Sequence, residues 1–329
     1  MLKAIDLFSG AGGLSFGLRD AGWDVVAALE YDKVAMATHA HNMPEMDHLW
    51  EDVRQVSFKR YRGAIDLVAG GPPCQPFSVS GKQLGHGDLR DMVPEFVRAV
   101  REVKPKAFLM ENVAGLATSR FRSYLEERLD DLRALGYDVQ WTVLNAADYG
   151  VPQKRQRLII VGTSEPTEFA FPEPTHGGRR KRHVSVARAL KGCPEDEPNT
   201  ARVVYAKNPI LRRSPYAGML LNGKGRPLDM KAPSFTIPAS AGGNRTHILD
   251  PDGVIERYHE HLISGGKPRR GDVEGCSRLT VRQSARLQAF PDNFEFVGRK
   301  SQRYAQIGNA VPPALATIVA TQLKRALSG

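Results

Sequence analysis

The chain has 329 residues, a prior of two domains at about 150 residues each, which excludes peptide-hormone, knottin and single-motif classes. Its 41% hydrophobic and 25% charged residues are the balance of a globular protein rather than a disordered or fibrous one. Lys plus Arg number 46 against 36 Asp plus Glu, and the resulting charge of +10 and pI near 9.6 favour a polyanionic partner, either nucleic acid or membrane.

The three cysteines, Cys74, Cys193 and Cys276, are odd in number and never spaced Cys-x-x-Cys, so neither a disulfide framework nor a zinc ribbon is expected. Asp6 stands where a secretory signal would need an apolar run, and no stretch reaches the ~20 apolar residues of a spanning helix. A cytoplasmic protein without membrane association is expected.

In chain order, Lys3 to Phe8 is a short apolar run that breaks into Ser9-Gly10-Ala11-Gly12-Gly13, after which Leu14, Leu18 and Ala21 fall at helical spacing. This predicts strand, glycine turn and helix. The unit repeats with a strand over 24–29 and a helix over 33–41; further strands are predicted near 48–50, 65–69 and 107–110. Helices are predicted over 91–103, with Val93, Phe96, Val97 and Val100 on one face, and over 121–135. Strands alternating with helices through short connections predict an α/β fold, a doubly wound, mostly parallel sheet. Strands at 139–144 and 158–161 follow. Residues 166–277 are rich in Gly, Pro, Arg and Asn and show no helical period, which predicts a smaller, irregular, largely β and loop domain carrying the run Arg179-Arg180-Lys181-Arg182. Helices return over 279–290 and 312–327, the last with Lys324 and Arg325 in its final turn.

Ligands of open parallel sheets bind at the carboxyl ends of the strands, and here those ends carry Phe8-Ser9-Gly10, Glu30, Asp52, Cys74 and Glu111. The first turn departs from the dinucleotide fingerprint, with Gly10 and Gly12 followed by Ser15 instead of a third glycine. Glu30, about 20 residues on, stands where a carboxylate would accept ribose hydroxyls. Asp52 is placed to take an adenine amino group; its plain alternative is a cap on the following turn. Together these point to an adenosine-containing cofactor without saying which. In Gly70-Gly71-Pro72-Pro73-Cys74 the glycines allow a tight turn and the prolines stiffen it, a bracket an inert core cysteine would not need. With Glu111 emerging from the next apolar strand, a thiol and a carboxyl beside an adenosine site point to covalent activation of an electron-poor ring.

The chain resembles the DNA (cytosine-5) methyltransferase family in Asp6-Leu7-Phe8-Ser9-Gly10-Ala11-Gly12-Gly13, Pro72-Pro73-Cys74-Gln75-Pro76-Phe77-Ser78, Glu111-Asn112-Val113 and Gln153-Lys154-Arg155-Gln156-Arg157. The match continues through Arg278-Leu279-Thr280-Val281-Arg282-Gln283 to Phe290-Pro291, and through Gln306-Ile307-Gly308-Asn309-Ala310-Val311-Pro312-Pro313. Gln283 departs from the acid usual there. The resemblance implies transfer of a methyl group from S-adenosyl-L-methionine to C5 of a flipped-out cytosine in duplex DNA, with no metal. Cys74 would attack C6, Glu111 would bind N3 and the exocyclic amine, Arg157 would hold O2, and Arg155 would fix a phosphate or the catalytic loop. Strand alternation would place Gln153, Arg155 and Arg157 on one cleft-lining side. Cofactor contacts would come from Phe8, Ser9, Gly10, Gly12, Gly13, Glu30, Tyr31, Asp52, Val53 and Pro73, with Asn309, Ala310 and Val311 folding back beside the first turn. The polar loop after Cys74, from Ser78 to Gly87, would close over the DNA.

The implied organisation is a catalytic and cofactor-binding domain over 1–176 plus 304–329, and a target-recognition domain with hinge over 177–303. In that second domain Arg179, Arg180 and Arg182 would hold phosphates, and Arg245 would either read a guanine edge or brace its own loop. A bacterial, nucleoid-associated monomer working beside a cognate restriction endonuclease is expected. Three other readings are an RNA cytosine methyltransferase, whose Cys-Phe-Thr element is not found; a nicotinamide or flavin oxidoreductase, disfavoured by the missing third glycine and the Pro-Pro-Cys bracket; and a catalytically dead DNA-binding module, disfavoured because Cys74, Glu111 and Arg157 are all present.

Overall fold

The computed structural model describes residues 1–73 and 91–329. Contacts divide the chain into two compact units: Met1–Tyr149, Gln156–Pro174 and Ala310–Gly329 form the first, and Gly150–Arg155 and Thr175–Asn309 the second.

The first unit begins with β1 (Lys3–Leu7), α1 (Gly13–Asp20), β2 (Asp24–Leu29), α2 (Lys33–Asn42) and β3 (Asp47–Leu49). It continues with β4 (Leu67–Gly70), α3 (Val93–Val103), β5 (Ala107–Val113), α4 (Arg122–Arg133), β6 (Asp138–Asn145) and β7 (Gln156–Thr163). Sheet order is β3-β2-β1-β4-β5-β7-β6. The first five strands are parallel, and β7 runs antiparallel to both β5 and β6. The doubly wound, mostly parallel sheet read from the sequence is therefore present. Its strand order reverses between β1 and β4, and the carboxyl ends of those two strands flank the crevice where such sheets bind ligands. The central strands β1, β4, β5 and β7 are buried on both faces, and Phe108 of β5 lies over Gly162 of β7, where a Cβ would come within 2.1 Å of the ring. Phe108 also meets Phe96 and Tyr137 edge-on at 6.2 and 5.3 Å between centroids, joining α3 and the entry to β6 into one core.

The second unit holds α5 (Val186–Leu190), the β8 (Tyr205–Ile210) and β9 (Met219–Leu221) pair, β10 (Ile248–Leu249), α6 (Val254–Ile263), β11 (Ser277–Arg278), α7 (Val281–Leu287) and α8 (Lys300–Asn309). The absence of helical periodicity expected over 166–277 is corrected by α6. Ile255, Tyr258, His259 and Leu262 recur at helical spacing and are buried, and Asp250 caps the helix by accepting the Val254 and Ile255 amides at 2.8 Å each. Gln283, the departure from the family pattern, completes a capping box on α7: its Oε1 accepts the Thr280 amide at 2.9 Å and its amide donates to Thr280 Oγ1 at 3.1 Å. Glutamine serves that motif as well as glutamate does.

The unit boundaries differ from those read in the sequence because α8 and residues 150–155 are sewn into the second unit. Tyr304 of α8 donates to Leu279 O at 2.6 Å, and a Cβ on Gly308 would lie 2.4 Å from the Pro238 carbonyl. After Ala310 and Val311, both buried, α9 (Pro313–Ser328) returns to the first unit. There it packs on α1 so closely that a Cβ on Gly17 would meet Ala316 Cβ at 2.4 Å, while Trp23 Nε1 donates to Ala320 O at 3.1 Å.

Candidate active site

The turn after β1 is shaped by backbone conformation. Phe8, Gly10 and Gly12 all take positive φ, at 59°, 56° and 97°. For a bulky Phe this is a costly state of the kind found where a chain turns toward a ligand. The Gly12 amide closes on Ser9 O at 2.9 Å. Glu30, at the end of β2, accepts the Gly10 amide at 2.8 Å through one carboxylate oxygen and the Asp32 amide at 2.7 Å through the other, tying the two strand ends together. Burial pushes its pKa up. Ser15, the residue in place of a third glycine, is fully buried and donates to Asp6 Oδ2 at 2.6 Å. That buried hydroxyl accounts for the departure from the fingerprint.

At the next strand ends, Tyr31 and Trp50 are exposed, and Trp50 Nε1 donates to Tyr31 O at 2.9 Å. Asp52 does what its plain alternative required: it accepts the Arg54 amide at 3.0 Å and pairs with the Arg54 guanidinium, which holds its carboxyl below the usual range. The capped turn directs Val53 into the core, where it is 4% exposed.

A second cluster surrounds Glu111. Register pairs Val113 with Arg157 and Glu111 with Ile159 across β5 and β7, so Glu111 and Arg157 are diagonal neighbours within reach of each other. Arg157 Nε stands 2.6 Å from Glu111 Oε1, both side chains nearly buried. A Cβ on Gly71 would lie 3.3 Å from Glu111 Oε2, which places this carboxylate against the backbone leading to Cys74. Asn112, quoted in the motif but given no role, donates to Pro72 O at 3.2 Å and pins that backbone to β5. Pro73 is exposed, and its carbonyl accepts the Met92 amide at 3.2 Å. Cys74 and the loop from Ser78 to Gly87 lie outside the described residues.

The shared face expected of Gln153, Arg155 and Arg157 is not formed, because β7 begins at Gln156. Gln153 and Arg155 are buried in the second unit: Gln153 donates to Leu287 O at 3.1 Å, and Arg155 donates to Ile237 O at 3.3 Å and Gly308 O at 2.8 Å. Among the described residues these two carbonyl oxygens accept from this guanidinium. Only Arg157 stays with Glu111. Asn309 is exposed at the end of α8.

Neither remaining thiol is poised for nucleophilic chemistry, since burial pushes Cys276 up to about 12 and raises Cys193 as well. In the second unit Arg179 and Arg182 are exposed, as is Arg245 on the turn Gly243–Arg245. Bracing of that turn falls to other groups: Asn199 Nδ2 donates to Gly243 O at 3.3 Å and the Lys224 amide to Asn244 O at 3.1 Å, while no hydrogen bond engages the Arg245 guanidinium among the described residues.

Residues 2–325 match the family model described as C-5 cytosine-specific DNA methylase. The chain is 35% identical to the type II methyltransferase M.XorII of Xanthomonas oryzae pv. oryzae, over 98% of this chain and 84% of that protein. It is also 35% identical to M.NgoMIV of Neisseria gonorrhoeae, over 98% and 97%. Among solved structures, a DNA modification methyltransferase encoded in an E. coli prophage superposes with a TM-score of 0.69 at 25% identity over the full length of both chains. The S. pombe Dnmt2 methyltransferase shares the fold, with a TM-score of 0.70 at 17% identity over 99% of this chain and 98% of its own. The chain belongs to the C-5 cytosine-specific DNA methylase family and is a DNA (cytosine-5)-methyltransferase.

Proposed function

We propose that this chain methylates C5 of one cytosine within a specific duplex sequence, using S-adenosyl-L-methionine and a covalent adduct at Cys74, as the protective half of a type II restriction-modification pair. It would act as a monomer in the bacterial cytoplasm, at the nucleoid. The observation that carries this reading is the Glu111–Arg157 pair set against Gly71, on the backbone that leads to Cys74.

The first turn fits the cofactor. Gly10 leaves open backbone at positive φ, Gly12 lets the turn close against α2, Glu30 faces the turn, and among the described residues the buried atoms Asp6 Oδ1 and Ser9 Oγ have no hydrogen-bond partner. When bound, S-adenosyl-L-methionine supplies an electrophilic methyl group on a sulfonium centre, which needs no metal. Phe8, Ser9, Gly10, Gly12 and Gly13 would hold it, with Glu30 on its ribose and Tyr31, Asp52 and Pro73 at its edges. The target base must leave the stack to be reached. The Cys74 thiolate then adds to C6, which pushes electron density to C5. Glu111 holds N3 and the exocyclic amine and stabilises the ring as that density arrives, while Arg157 orients the carboxylate and meets O2. Once C5 carries the methyl group, loss of the C5 proton and expulsion of Cys74 restore the aromatic ring. The second unit would choose the sequence, with Arg179 and Arg182 on phosphates and Arg245 at a base edge.

Duplex DNA carrying 5-fluorocytosine tests the chemistry, because fluorine at C5 cannot leave as a proton. With S-adenosyl-L-methionine, the wild-type chain is expected to be trapped covalently and Cys74→Ser is not. A trapped Cys74→Ser protein would remove Cys74 from the mechanism.

A further inference from the structure

A line of polar side chains, buried from Asp6 to His39 and half-buried at His48, runs beneath the first turn, separate from the Glu111 centre. Asp6 on β1 accepts from Ser15 Oγ at 2.6 Å; Ser15 Oγ lies 2.9 Å from His39 Nε2 on α2, and His39 Nδ1 lies 3.0 Å from His48 Nε2 on β3. Proton counting assigns the roles. Once Asp6 is ionised, above about pH 7, Ser15 gives its one O–H to the carboxylate and so accepts from His39 Nε2–H. His39 Nδ1 then offers only a lone pair and accepts from His48 Nε2–H. Every donor points inward toward Asp6, and a single tautomer of His39 satisfies both neighbours. Burial pushes His39 down to about 3, which keeps the ring neutral.

The same ring packs on the glycine turn. A Cβ on Gly12 would lie 2.8 Å from His39 Cδ2 and 2.3 Å from Met43 Cε, so α2 closes over the turn from behind. At the end of β1 and on the turn, Asp6 Oδ1 and Ser9 Oγ are buried without hydrogen-bond partners among the described residues. Orphaned buried polar atoms are rare, and each calls for an explanation. His39 is itself fully buried.

We propose that His39 is a positioning residue for the cofactor turn: locked between Ser15 and His48 and packed on Gly12, it holds the Phe8 to Gly13 backbone and the Asp6 carboxylate ready for S-adenosyl-L-methionine without touching it. The inference rests on the assignment of that turn to the cofactor.

His39→Leu keeps the approximate volume and removes both ring nitrogens, and His39→Gln returns an N–H near the place of Nε2. Calorimetric titration with S-adenosyl-L-methionine, kcat and KM at saturating DNA, and thermal melting are read for each. His39→Leu is expected to weaken cofactor binding and raise its KM about tenfold with kcat nearly unchanged, a loss the size of one buried hydrogen bond's net contribution although two are removed. His39→Gln is expected to recover most of that loss. Unchanged cofactor affinity in His39→Leu, at any melting temperature, or a Gln variant no better than Leu, would overturn the proposal and make the ring a packing element. Should His39→Leu not fold, Ser15→Ala breaks the same line and is expected to raise KM alike; an unchanged KM there would overturn it too. A wild-type chain that failed to bind S-adenosyl-L-methionine would instead overturn the cofactor assignment.

Discussion

Replacing Arg157 by Met retains most of the side-chain stem and leaves Glu111 without its counter-charge. The pair is separated by 2.6 Å, with the side chains 13% and 11% exposed. Coulomb's law at that distance with an effective dielectric near 20 gives a gross attraction of about 6 kcal/mol, much of it offset by desolvation of both ions. Removing one partner of such a pair costs about 3–5 kcal/mol, because the remaining charge stays in the protein without compensation. At about 2–4 °C per kcal/mol for a domain of this size, the melting midpoint is expected to fall by roughly 6–20 °C. The double variant Arg157→Met/Glu111→Gln removes both charges and is expected to regain most of that loss, a coupling that a double-mutant cycle reads directly. Activity follows a different rule: single-turnover methylation is expected to drop about 10²-fold in Arg157→Met through misplacement of the carboxylate, and the double variant is not expected to recover it. A wild-type melting midpoint in Arg157→Met, or a double variant no more stable than the single, would refute the reasoning.

Asp6 is pushed up to about 7 by burial and His39 down to about 3. From about pH 4 to 7 the folded chain keeps an Asp6 proton that the unfolded chain has lost, so this group's contribution to stability falls as pH rises; over about pH 3 to 6.5 the unfolded chain binds a His39 proton that the fold excludes, so that contribution grows. Asp6→Asn removes the first slope, and urea midpoints are expected to climb more steeply with pH in the variant than in the wild type; parallel profiles would show that Asp6 titrates normally. Arg245→Ala, assayed on a randomised-site library, is expected to relax choice at one base position at a cost of roughly 1–3 kcal/mol of discrimination, and uniform loss at all sites would assign the residue to general binding.

The sequence by itself determined the strand–turn–helix order of the first unit, since short apolar runs ending in glycine and acid leave few topologies. It also placed Glu30, Tyr31 and Asp52 just past strand ends, because period and punctuation are local properties, whereas β5 runs on through Glu111 to Val113. It could not show that Arg155 turns into the second unit while Arg157 stays with Glu111. Adjacent alternate positions look alike until the chain's partners in space are known, and here those are Ile237, Gly308 and Glu111. Helix α6 was legible in principle, from Ile255, Tyr258, His259 and Leu262, but it lay among glycine- and proline-rich flanks that hid its period. The line from Asp6 through Ser15 and His39 to His48 was not legible at all. It joins β1, α1, α2 and β3, and only packing brings together four polar side chains that each read, in sequence, as unremarkable.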